Sequence, residues 1–306
     1  MTLRAPRATG EDHMADTAID LIDQQNWLNS AADALQPAVH QAFDALGESG
    51  RTVKDALHGV WLGHPVHPAL TDVPIGAWTT ALVFDTLEAS GTRGFARAAD
   101  AAIAVGLVGA VGAAITGLTD WSETDGRAKR VGLTHGLLNI TAAGLYGASL
   151  WFRRRGRRRQ GRGFAFAGYS AVMASAYLGG NLVYDQQVGV DRSAHASVPE
   201  GFTRVASLAE VPENQPVRVM ADRTPVLLVR RGTTIRAIAE TCSHLSGPLA
   251  EGRLDGNTIQ CPWHGSTFCI DDGSVVRGPA THPQPVYEAR VSDGGIEIRQ
   301  PADGAQ

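Results

Sequence analysis

Cysteine is scarce in this chain, three residues in 306, which leaves no disulfide framework to staple a small fold. Net charge is scarce too. The formal value is −4, from 27 Lys and Arg against 31 Asp and Glu, and no nucleic-acid partner is suggested. The first residues lack a basic segment followed by an apolar run, so no cleavable signal peptide is expected. Charge is missing altogether from Ala101 to Thr119 and from 164–184, and 131–152 holds His135 as its single ionisable residue. Each of these stretches approaches the ~20 residues that cross a bilayer. A soluble-looking average composition thus conceals an apolar middle and a polar C-terminal third.

The length suits about two domains. Residues 1–60 form a polar, acidic tail in which Leu35, Val39, Phe43 and Leu46, then Val53, Leu57 and Val60, recur at helical spacing. Amphipathic helices lying on the membrane or on the later helices are expected there. For residues 1–25 a partly disordered tail is the competing expectation. Residues 61–185 read as a four-helix transmembrane domain, with helices near 70–88, 99–120, 131–152 and 164–184 after a proline-restrained loop from Trp61 to Leu70. Gly106, Gly109, Gly112 and Ala113 supply the small residues that let membrane helices approach closely. Arginine crowds the stretch from Arg153 to Arg162. A short loop this basic stays in the cytoplasm, and Arg93 and Arg97 place the first loop on the same side, so both termini face outward. The expectation is a multi-pass protein of the cell membrane, partnered by the lipid bilayer, with its C-terminal domain on the extracytoplasmic side.

An ionisable residue inside a membrane span is a functional-site hypothesis by default. His64, His67 and His135 are the candidates, since imidazoles from different helices suit haem ligation or a quinone pocket. The plain alternative is that His64 and His67 cap the first helix through backbone carbonyls or lipid headgroups.

A polar linker, 186–200, leads to strand-like segments at Phe202–Leu208, Pro216–Met220, Pro225–Arg230, Thr234–Ala239, Tyr287–Val291 and Ile296–Arg299. Turn signals such as Arg231-Gly232, Asp255-Gly256 and Asp272-Gly273 separate short strands, which implies a small all-β domain. Within it, Cys242-Ser243-His244 is followed sixteen residues later by Cys261-Pro262-Trp263-His264-Gly265. Each short loop offers one thiolate and one imidazole. Zinc fingers pair like with like, as C-x2-4-C with H-x3-5-H, so zinc is the weaker reading. A mixed pair in each loop suits a [2Fe–2S] cluster with thiolates on one iron and imidazoles on the other. Neutral imidazoles in place of two anionic thiolates leave such a cluster less negative and easier to reduce. Cys269 reads as a buried strand thiol. His282, outside both loops, reads as an exposed surface residue.

On these residues, 200–300 resemble a Rieske iron–sulfur domain; Pro262, Gly265 and Ser266-x-Phe268 also match that family's second loop. The resemblance implies Cys242 and Cys261 on the inner iron and His244 and His264 on the outer one. It further implies that Leu245 and Pro279 shield the cluster and that Ser266 donates toward a bridging sulfide. Rieske proteins of respiratory cytochrome bc complexes carry an extra cysteine in each loop, joined as a disulfide. Ser246 and Trp263 stand at those positions here, and Phe268 stands where the high-potential subtype has tyrosine. Fewer donors to the sulfurs imply a potential in the lower or middle part of the range, as in the ferredoxin-like branch.

The segment 50–195 is similar to a bacterial four-helix membrane domain of uncharacterised function, through His64-Pro65-Val66-His67-Pro68 and Gly180-Asn181-Leu182-Val183-Tyr184. The expected architecture is multidomain: an N-terminal all-α four-helix transmembrane bundle, then a C-terminal all-β Rieske [2Fe–2S] domain over 201–300. Such a chain would be a membrane-anchored carrier of single electrons rather than a complete enzyme, exchanging with a redox partner protein, a quinone or haem. The alternatives are a ferredoxin-like donor to a separate oxygenase and a membrane redox sensor without turnover. The mononuclear-iron domain of terminal oxygenases finds no room before Gln306.

Overall fold

The computed structural model describes residues 14–302, in which seven helices precede ten strands. Expectations for residues 1–13 fall outside that range. Four long helices form a bundle: α4 (Val66–Ala89), α5 (Ala96–Trp121), α6 (Gly126–Arg154) and α7 (Arg158–Tyr184). All four exceed the lengths expected from the apolar runs. Lys and Arg are good helix formers, so α6 and α7 continue through the charged residues at their ends. The helix α4 starts at Val66 rather than near 70. Pro68 sits in its first turn, where the missing N–H would have no partner anyway.

Trp78 of α4 stacks on Tyr146 of α6 at the bundle centre, with ring centroids 4.2 Å apart. Gly106 of α5 permits this, because a Cβ there would fall 2.2 Å from Trp78 Nε1. At a further level Arg153 Nη1 meets Asp85 Oδ1 at 2.8 Å and Asp100 Oδ1 at 3.0 Å, which supplies Asp85 with its counter-charge inside the bundle. Every bundle helix also turns large apolar side chains outward, among them Val83, Val108, Ile140 and Phe166. Among the described residues α5 alone is long and apolar enough to cross a membrane by length and composition. The other three runs are diluted by Asp72 and Asp85, by His135 and Asn139, and by Tyr169, Tyr177 and Asn181.

Three shorter helices, α1 (Met14–Asp23), α2 (Asn26–Asp44) and α3 (Gly47–His58), lie on α5 and α6. Ile19, Leu28, Ala32 and Val39 are their buried apolar residues. Gln36 Nε2 donates to the carbonyls of Trp121 and Thr124 at 3.0 and 2.8 Å, satisfying groups that the end of α5 leaves open.

The strands make two sheets. A six-stranded antiparallel sheet has the order β1 (Thr203–Ser207), β10 (Gly295–Arg299), β9 (Val286–Ser292), β4 (Thr234–Ala239), β3 (Thr224–Arg231), β2 (Pro216–Ala221). Its β3 is buried on both faces. Val226 and Leu228 point to one core, and Leu227 and Val229 to a second that contains Cys242, Cys261 and Phe268, as the two-residue period of a strand requires. The second core is shared with a four-stranded sheet, β5 (Arg253–Asp255), β6 (Thr258–Gln260), β7 (Thr267–Cys269), β8 (Val275–Arg277). These three-residue strands were not among the expected ones, being too short to display alternation. The segment before β1 is tied down: Arg192 N donates to Ser243 O at 3.0 Å, and Tyr287 Oη donates to Ala196 O at 3.0 Å.

Candidate metal centre

Cys242 follows β4 and Cys261 follows β6, and both open the same turn. Cys242 N donates to Gly247 O at 2.9 Å and Ser246 N to Cys242 O at 3.0 Å; Cys261 N donates to Ser266 O at 2.8 Å and Gly265 N to Cys261 O at 3.2 Å. The fifth residue of each turn is left-handed, with φ of 66° at Ser246 and 77° at Gly265. This folding aims amides at sulfur: His244 N–H at Cys242, and Trp263 and His264 N–H at Cys261. Such bonds favour the thiolate, which is the ligating form. The hydrogen bond between the two thiols raises Cys242, with burial adding to it, and lowers Cys261 to about 7. The loops touch: a Cβ on Gly247 would lie 2.6 Å from Cys261 Sγ.

The fully buried Ser266 accepts from Ala280 N at 3.0 Å and directs its hydroxyl at Cys242. Leu245 is half-buried in the first loop, and Pro279 is buried in the loop between β8 and β9. His282 is half-buried rather than exposed, because Thr281 Oγ1 lies 3.1 Å from its Nδ1 and Ser243 Oγ donates to its carbonyl. Cys269 lies on β7 and is half-buried, 3.7 Å from Asn257 Nδ2.

The rings of His244 and His264 stand 5.1 Å apart between centroids, at 87°. Two imidazoles bound at about 2.0–2.1 Å to one tetrahedral metal would set their ring centres roughly 5 Å apart. Burial first, and then the neighbouring His264, pushes His244 down to about 3, so its ring is neutral as a ligand must be. Among the described residues no three His, Cys, Asp or Glu side chains close on a single ion. The four residues therefore fit a pair of irons better than one zinc.

The histidine edge of these loops faces the helices. His264 Nε2 lies 3.2 Å from Asp125 Oδ2, in the α5–α6 connection. Beside it Asp55 of α3 accepts from Gly278 N at 2.9 Å and from Arg277 Nη1 at 3.0 Å. Gly278 rests against His58, which is 2 % exposed and whose Nδ1 lies 2.8 Å from Asp120 Oδ1. Sequence inspection singled out none of Asp55, His58, Asp120 or Asp125 as a site residue, and a contact between distant segments leaves no local spacing to find.

Of the three histidines singled out in the helical segment, two pair with each other. His67 and His135 have ring centroids 6.2 Å apart at 87°. His67 Nδ1 lies 2.8 Å from Ala113 O, and His135 Nδ1 lies 2.8 Å from Ser175 O. His64 stands apart, exposed, with Nδ1 3.0 Å from Pro65 O. It lies before α4 and is not part of that pair.

Two packed β-sheets with paired Cys–His turns between them define an iron–sulfur domain of the mixed-ligand kind. Residues 201–288 match the Rieske [2Fe-2S] domain, and this chain belongs to that family. Residues 63–192 match the family described as Predicted membrane protein (DUF2231). The 3-phenylpropionate/cinnamic acid dioxygenase ferredoxin subunit of Escherichia coli (strain K12) is 38% identical over 96 residues, 31% of this chain and 89% of that one. Ferredoxin CarAc of Metapseudomonas resinovorans is 36% identical over 74 residues, 24% of this chain and 69% of its own. The solved ferredoxin of carbazole 1,9a-dioxygenase from Nocardioides aromaticivorans IC177 is 27% identical, with a TM-score of 0.32, over 33% of this chain and 98% of that one. A [2Fe–2S] cluster and an electron-transfer role for the β domain follow from the family.

Proposed function

We propose that this chain carries single electrons between a Rieske centre and its own membrane-embedded helical domain. The centre is held by Cys242 and Cys261 on the inner iron and by His244 and His264 on the outer. Bound there, the cluster supplies one-electron redox chemistry. The chain's residues do the rest. Amides of the two turns stabilise the thiolates, burial keeps His244 neutral, and Leu245, Ser266 and Pro279 close the pocket against water. The observation that carries the proposal is the contact of His264 Nε2 with Asp125, which turns the cluster's histidine edge onto the helices. The acceptor or donor in the helical domain is a quinone or a haem at the level of His67 and His135.

The helical domain, 61–185, is taken to lie in the cell membrane as a multi-pass unit, joined through 186–200 to the Rieske domain at 201–300. Its outward Val108, Ile140 and Phe166 favour lipid over water. The arginine-rich α6–α7 connection lies one helix length from Asp125, about 43 Å for the 29 residues of α6. Basic loops stay cytoplasmic, which supports an extracytoplasmic Rieske domain.

A second reading, a ferredoxin that supplies a separate oxygenase, is favoured by the dioxygenase ferredoxin subunits among the relatives. Both readings require the cluster. Reduction of the purified full chain should give an EPR signal with average g below that of all-cysteine clusters, absent in His264→Ala. The two readings part on reoxidation: a water-insoluble quinone analogue should oxidise the reduced chain in detergent faster than a soluble protein acceptor does. The opposite ranking would favour the ferredoxin reading.

A further inference from the structure

We infer that His67 and His135 are the two axial ligands of one haem, placed on an internal two-fold axis of the helical domain. This rests on the reading that the helical domain is the cluster's electron partner, and it names the group that serves.

The bundle is one helical hairpin built twice. An offset of 68 residues carries α4 into α6, taking His67 to His135, Trp78 to Tyr146 and Asp85 to Arg153. Each of these residues is paired with its own counterpart, through rings with centroids 6.2 and 4.2 Å apart and an ion pair at 2.8 Å. A residue meets its own mate only where the symmetry axis passes. An offset of 62 carries α5 into α7, and the contacts repeat there as well. His67 Nδ1 bonds to Ala113 O and His135 Nδ1 to Ser175 O, both at 2.8 Å. A Cβ on Gly117 would lie 2.6 Å from the His67 ring, and one on Gly179 would lie 3.2 Å from the His135 ring.

Both histidines thus donate Nδ1–H to a carbonyl of the neighbouring helix. That leaves a lone pair at each Nε2, and a carbonyl on the far nitrogen is how proteins orient a metal-binding imidazole. The ring separation differs from that of the cluster pair in an informative way. Opposite ligands on one metal, with bonds of about 2.0 Å, set ring centres about 6 Å apart, against roughly 5 Å for a tetrahedral pair. The observed 6.2 Å matches the opposite arrangement. Among the described residues no Cys, Asp or Glu joins them to complete an ion site. A metal satisfied by two protein ligands on opposite sides brings its other ligands with it, which is the condition of haem iron in a helical bundle.

A quinone carbonyl needs donors, and both N–H groups are already used. Asn139 Nδ2 lies 3.1 Å from His135 Nε2 and turns aside when the metal takes that lone pair. Gly117 and Gly179 let the two rings pack against α5 and α7, and Gly136, next to His135, has nothing within 4 Å of where a Cβ would stand.

The test is titration of the cluster-loaded full chain in detergent with hemin, read by optical and EPR spectra. A single six-coordinate low-spin haem is expected. His67→Ala and His135→Ala should each remove the low-spin signal, and His64→Ala should leave it. Failure of the native chain to take up hemin, a low-spin signal that survives both alanine variants, or a stoichiometric quinone in place of haem would overturn the assignment. The reduced-cluster signal is recorded in the same samples. Its persistence without haem would leave the Rieske reading standing, and its absence would remove both. Should the alanine variants fail to fold, the native titration decides alone.

Discussion

Replacing Asp55 by alanine should loosen the cluster edge from the helices. The Asp55 carboxylate takes the Gly278 N–H at 2.9 Å and Arg277 Nη1 at 3.0 Å, from the loop that closes over the cysteine pair and from the strand end just before it. A hydrogen bond to a charged group contributes about 1.5–3 kcal/mol net. Three features hold the sum to the lower end. Burial disfavours the carboxylate and raises its pKa, its side chain is still 21% exposed, and Arg277 keeps Glu48 as a second partner. A loss of about 3 kcal/mol follows, roughly a hundredfold in the ratio of docked to undocked states. The Gly278 amide is the direct reporter. Hydrogen exchange of peptides covering 47–58 and 275–282 should speed up by about that factor if docking limits opening. Unchanged exchange, in a variant that keeps the reduced-cluster EPR signal, would show that Asp55 does not hold the domains together, and the proposed route from cluster to helices would lose its structural basis.

Two further outcomes are expected. Asp85→Ala strands the buried Arg153 guanidinium, which should lower stability in detergent by about 3 kcal/mol, less than a full orphaned charge because Asp100 remains 3.0 Å away; the Asp85→Ala/Arg153→Ala double variant should unfold at a higher temperature than the single. The metal-free chain should lose stability on acidification. The unfolded His244 titrates near 6.5 and the folded one near 3, so the folded state binds fewer protons between these values. Stability is then complete above about pH 6.5 and declines as pH falls toward 3, by on the order of 2–3 kcal/mol for this partly exposed ring. Urea titrations at pH 7.5 and 5 check it, and a His244→Asn chain with an equally steep decline would assign the effect elsewhere.

The cluster turns were legible because their chemistry is local. Cys242, His244, Cys261 and His264 sit two and three residues apart, within loops whose Ser246 and Gly265 supply the left-handed bend, so the two turns and their proposed donors share one local pattern. The long apolar helices were legible for the same reason, since burial or lipid contact leaves its mark on every turn. The ends of those helices were not, because Arg and Lys extend a helix without any apolar signal. The strands β5 to β8 were missed because three residues show no period. The surroundings of His264 were out of reach altogether: Asp125 lies 139 positions away, and its carboxylate resembles any surface acid until the chain is folded.

The duplication in the helical domain stayed hidden for a different reason. Symmetry-related positions usually carry like residues, and here the axis carries unlike ones. Two identical charges facing each other would repel, so Asp85 meets Arg153. Trp78 and Tyr146 stack as different rings over glycines at equivalent places. Only the histidine level kept its identity in both halves. Packing and charge balance can be met by divergent partners, as the other two levels demonstrate, whereas a two-coordinate site asks for the same donor from each side. That contrast, at three levels on one axis, is the reason to expect chemistry at His67 and His135 and only structure at the other two.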